Sequence, residues 1–124
     1  MQYVTTISRI LLGLAFTLAG GSIFWLIGHP PPLPPGLAGT FTTVFFASHW
    51  VVVVDLVELI AGLLLLFNRY VTLAIVLLGA IFTNILTFHI SMQLQTIPIP
   101  LTLLVLWAIV AYDHRATLAV LFQK

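Results

Sequence analysis

Two carboxylates in an otherwise apolar run are the side chains best suited to chemistry. Asp55 and Glu58 lie in the stretch from Val51 to Phe67, and a charged side chain at mid-bilayer costs about 2.5–3.5 kcal/mol on insertion scales. Their i,i+3 spacing puts both on one helical face, together with Val51 and Gly62. Such a helix is stable only if the acids turn inward and are neutral or paired. At about 1.5 Å per residue from Trp50, Asp55 lies roughly 8 Å deep and Glu58 roughly 12 Å. The following run returns in the opposite direction, bringing Asn84 to about the depth of Asp55 and His89 nearer the rim, with Thr83 and Thr87 in the same half. His49 stands just before the acidic helix. On the first run Arg9, Gly13, Phe16, Thr17 and Gly20 share a face that offers two glycines for close packing and one hydroxyl. The candidate ligand-binding or proton-handling residues are therefore Glu58, Asp55, Asn84, His89, His49, Arg9 and Thr17.

Ionisable residues inside a membrane mark pathways or ligand sites by default. A neutral carboxyl or imidazole could hydrogen-bond a quinone carbonyl and hand it a proton as it is reduced. A structural reading stands beside this one: Asn84, Thr17 and a protonated Glu58 as interhelical hydrogen-bond partners, at about 0.6 kcal/mol each. By depth alone His49, His89 and Asp55 could form a zinc-like site, but both imidazoles read more simply as interfacial side chains, and no metal is expected. Arg9 either snorkels to the inner interface or pairs inside the protein.

The elements that must position these groups follow from composition. The chain has 124 residues, 61% hydrophobic and 6% charged, with a mean hydropathy of +1.21, which leaves too little charge to solvate a surface. Four Lys/Arg cannot make a phosphate-binding patch, so nucleic acid is excluded as a partner. The absence of cysteine removes disulfides, thiolate metal sites and iron–sulfur clusters carried by this chain. Four runs approach the roughly 20 apolar residues that cross a bilayer, over about 7–27, 51–67, 71–90 and 97–112. The prolines from Pro30 to Pro35 end the first, Asn68-Arg69-Tyr70 forms a short turn, and Pro98 and Pro100 open the fourth. The first run is longer than a signal-peptide core and lacks an A-x-A cleavage pattern, so it reads as a retained helix.

Arg9, Arg69, Arg115 and Lys124 flank one side of these runs. The positive-inside rule makes that side cytoplasmic, with both termini inside. Thr40 to Ser48 is apolar but too short to cross, and reads as a short interfacial helix in the first external loop. The fold class expected is all-α: one polytopic domain, residues 1–124, forming a four-transmembrane-helix bundle. Trp25, Trp50, Tyr70 and Tyr112 lie near span ends as an aromatic belt.

The string Ser8-Arg9-Ile10-Leu11-Leu12-Gly13, then Val57-Glu58-Leu59-Ile60-Ala61-Gly62 with four leucines running to Asn68-Arg69-Tyr70, then Gly79 through Asn84 to His89, resembles DoxX-like membrane proteins. The likeness covers nearly the whole chain, and Arg9, Glu58 and Asn84 in this order are its most specific part. It implies a compact four-helix bundle in a bacterial-type cytoplasmic (inner) membrane and a link to thiosulfate:quinone oxidoreductases or other membrane redox complexes. No cofactor is intrinsic, so electron transfer would use a bound quinone or a partner protein's centre. The expectation is a component of a membrane redox or quinone-linked system without independent catalytic activity, except as an oxidoreductase subunit. It would bind an apolar ligand or partner near Glu58, Asp55 and Asn84. The bilayer is its constant partner, with a redox partner protein and a homo-oligomer left open. A non-catalytic scaffold is the alternative, and a small transporter a weaker one for want of an internal repeat.

Overall fold

A computed structural model describes residues 2–124 and contains helices and no strand among them. Helix α1 (Gln2–Gly21) starts five residues before the apolar run, because Thr5 and Ser8 are buried and extend its packed face instead of ending it. Arg9 therefore lies within α1, not ahead of it. After a break at Ser22, the short α2 (Ile23–Leu26) completes a stretch of 25 residues. The proline segment leads to α3 (Gly36–Ala47), which begins four residues earlier than the apolar run alone indicates.

Then come α4 (Trp50–Leu66), α5 (Val71–Met92) and α6 (Pro98–Asp113), close to the ranges read from the sequence. A further helix, α7 (Arg115–Ala119), continues into a 3-10 turn at Val120–Phe122 and was not anticipated. Two stretches, Gln2–Leu26 and Val71–Met92, are individually long and apolar enough to cross a membrane. The number rises to four if α3 with α4, and α6 with α7 and its 3-10 turn, each count as one span. Those pairs are bent by 85° and 78°, so neither is a straight rod.

α1 packs against α4 and α6, and α5 packs against the same two. The α1–α4 contact is close because three glycines permit it. A Cβ at Gly62 would come 2.5 Å from the Thr17 amide nitrogen, and one at Gly13 would lie 3.1 Å from the Gly62 carbonyl oxygen. Gly20 abuts the backbone of Asp55 and Leu59. The pairing of Gly20 with Asp55 and of Thr17 with Gly62 makes the two helices antiparallel, with α1 directly behind the acidic turn.

The core lies beyond that turn, toward the C-terminal end of α4. On α5 the buried residues Val71, Ala74, Ile75, Leu78, Ile81 and Phe82 recur every three to four positions and face Leu12 and Phe16 of α1, Ala61 and Leu65 of α4 and Val110 of α6. Phe82 meets Phe16 edge to face at 5.4 Å and Trp107 at 6.0 Å, and the Trp107 indole N–H donates to the Ile75 carbonyl at 2.9 Å. Around this core many large apolar side chains face outward, among them Leu18, Phe24, Val53, Ile60 and Leu73. An apolar exterior of this kind is compatible with contact to a lipid bilayer.

Candidate functional site

Past the core, the N-terminal half of α4 and the C-terminal half of α5 leave a cavity of about 400 Å³ that α3 covers. Three local features put α3 there. Successive prolines stiffen the preceding segment, Gly39 lets the Pro34 carbonyl press directly on the helix, and a sharp elbow follows α3. At that elbow His49 adopts a left-handed conformation (φ 61°), while the Ser48 hydroxyl accepts the Trp50 amide at 3.3 Å and so satisfies one free donor at the start of α4.

The cavity brings Asp55, Glu58, Asn84 and His89 together. Glu58 is only 8% exposed, and Asp55 is half-buried. Neither carboxylate receives a hydrogen bond or faces a cation among the described residues. Opposite them, Asn84 donates its amide N–H to the Ala80 carbonyl at 3.1 Å, leaving its carbonyl oxygen free. His89 Nδ1 lies 2.7 Å from the Ile85 carbonyl, an acceptor only, so Nδ1 carries a proton and donates it there. Thr83 and Thr87 likewise bond back to Gly79 and Thr83 at 2.9 and 2.7 Å. None of these α5 side chains ties one helix to another.

The apolar wall is aromatic. From α3, Phe41 stacks with Phe45 at 5.5 Å and reaches Phe88 of α5 at 5.2 Å. Phe46 and Trp50 continue the lining. The sequence reading did not single out Phe41 or Phe88. The i,i+4 spacing of Phe41 and Phe45 is the signal that marks them as one face.

The other candidates lie elsewhere. Arg9 Nη1 donates to the Leu65 carbonyl in the last turn of α4, where a cation complements the helix dipole. Thr17 is packed between α1 and α4 against Gly62, with its hydroxyl buried and unpartnered. His49 is exposed at the elbow and does not line the cavity. Among the described residues no three His, Asp or Glu side chains are grouped to hold a metal ion, so His49, His89 and Asp55 do not assemble.

No family model, curated protein or solved structure matches this chain.

Proposed function

We propose that this chain is a polytopic protein of a bacterial-type cytoplasmic membrane that binds an apolar small molecule with a polar end in the cavity between α3, α4 and α5. The observation that carries the reading is that cavity: Glu58, buried and without a partner, lines an aromatic-walled space of about 400 Å³ together with Asp55, Asn84 and His89. That volume falls within the roughly 300–1,000 Å³ typical of small-molecule sites, which combine apolar walls with a few convergent polar groups.

Four spans, α1 with α2, then α4, α5 and α6, form the bundle in this reading, with both termini and Arg69 inside. The near-perpendicular α3 lies in the outer interface and α7 in the inner one. The cavity then occupies the outer half of the bilayer, and the ligand enters from lipid. A quinone is the form of ligand that the DoxX-like resemblance suggests, taking a hydrogen bond from the Glu58 carboxyl, and it would make the protein a component of a redox system. The scaffold alternative asks the same polar groups to join helices, and the α5 side chains bonding to their own backbone give it little support.

Mass spectrometry of lipophilic molecules co-purified in mild detergent tests the proposal. The unmodified protein should retain an apolar species that is lost from Ile85→Trp, whose larger side chain fills the cavity, while the circular-dichroism melt stays intact. Identical profiles for the two proteins would sink it.

A further inference from the structure

The charged inventory of the cavity is one-sided. Its Lys, Arg, Asp and Glu side chains are the two carboxylates alone, beside the carbonyl oxygen of Asn84 and one free N–H of that amide, while the other Asn84 N–H and the His89 Nδ1–H bond to Ala80 and Ile85 of their own helix. The Thr42 hydroxyl on α3 also donates backward, to the Ala38 carbonyl at 2.8 Å. Among the described residues no Lys or Arg faces the acids. Arg9 is held at Leu65, seven residues or about 10 Å farther along α4 than Glu58. Arg115 donates to the Tyr112 carbonyl at 2.8 Å and lies 4.2 Å from the centre of that ring.

The aromatic wall suits the same ligand. Phe and Trp rings present negative faces that attract ammonium-type groups, most strongly where water is excluded. Phe41, Phe45, Phe46, Trp50 and Phe88 surround the space into which Asp55 and Glu58 open.

We infer that the ligand of this cavity is an organic cation, an ammonium or similar onium centre on an apolar body, held between the Asp55 and Glu58 carboxylates and the ring faces of α3 and α5. The inference rests on the reading of the cavity as a ligand site and replaces the neutral quinone head with a charged one. It also accounts for Glu58: the ligand supplies the countercharge that the protein lacks. One cation balances one carboxylate, which leaves the second acid to carry a proton.

The test uses the full chain in nanodiscs of zwitterionic phosphatidylcholine and titration calorimetry with three probes: tetraphenylphosphonium, tetraphenylborate of similar size and opposite charge, and neutral duroquinone. The expected result is saturable binding of the phosphonium, no saturable binding of the borate, and weaker binding of duroquinone. Glu58→Gln and Asp55→Asn should each reduce phosphonium affinity by about tenfold or more, the loss expected for one charged hydrogen-bond partner. Should Glu58→Gln fail to fold, Asp55→Asn at the more exposed side of the cavity decides alone. Saturable binding of duroquinone without the phosphonium overturns the cation inference and leaves the ligand site standing. Absence of saturable binding for every probe overturns both. Equal phosphonium binding by the unmodified protein and the folded acid variants overturns the inference as well, since the cation would then sit elsewhere.

Discussion

Glu58 is held inside the protein by neighbours that do nothing for its charge. It is buried, it accepts no hydrogen bond, and the adjacent Asp55 adds a second acid instead of a partner. A residue kept for stability loses stability when replaced; one kept at a cost gains it. Glu58→Leu is therefore expected to raise the unfolding free energy in detergent by roughly 1–3 kcal/mol, the order of the penalty for an acid in an apolar span, while abolishing ligand retention. A thermal melt alongside a binding assay checks both, and a lower melting temperature would mark Glu58 as structural. The two acids were legible in the sequence because acids are costly in an apolar run. Arg9 was legible as an anomaly, but its acceptor was not: the Leu65 carbonyl lies fifty-six positions away, and only the α1–α4 register brings it near. Phe41 and Phe88 escaped notice because phenylalanine is ordinary in apolar sequence, and its meaning comes from what faces it.

Among the elements, the α1–α4 contact is the most sensitive to small changes. A Cβ at Gly20 would meet the Asp55 carbonyl and the Leu59 amide, which are backbone and cannot swing aside. One at Gly21 would meet only the end of the Leu59 side chain at 3.8 Å. Gly20→Ala should thus destabilise by about 1–3 kcal/mol as the helices are forced apart, whereas Gly21→Ala should be neutral or slightly stabilising through better helix propensity. Chemical unfolding of the two variants distinguishes them, and equal effects would refute the close packing. The helical runs were readable because hydrophobic length and proline positions mark them. Their ends were less so: Thr5 and Ser8 look like a polar approach to a helix, yet both are buried within it. The elbow before α4 was hidden too, since it depends on a left-handed His49, and histidine is not glycine in any pattern a reader would search for.

For the molecule as a whole, the proposed orientation makes a direct prediction. A cysteine placed at Gly36 should react with an impermeant thiol reagent on intact cells, and one at Asn68 should not; the native chain contributes no background because it has no cysteine. The reverse labelling pattern would invert the topology and with it the side on which the cavity lies. The same close packing of α1 on α4 also bears on how the protein is made. With two acids, α4 is a poor candidate to enter a bilayer alone, but α1 leaves the ribosome first and, in this topology, already stands in the membrane when α4 emerges. Its glycine-lined face offers the nascent helix a protein surface in place of lipid. Synthesis in this order lets the earlier segment act as an insertion partner for the later one, so a shortened chain translated from Gly36 onward would release α4 to the wrong side of the membrane instead of retaining it.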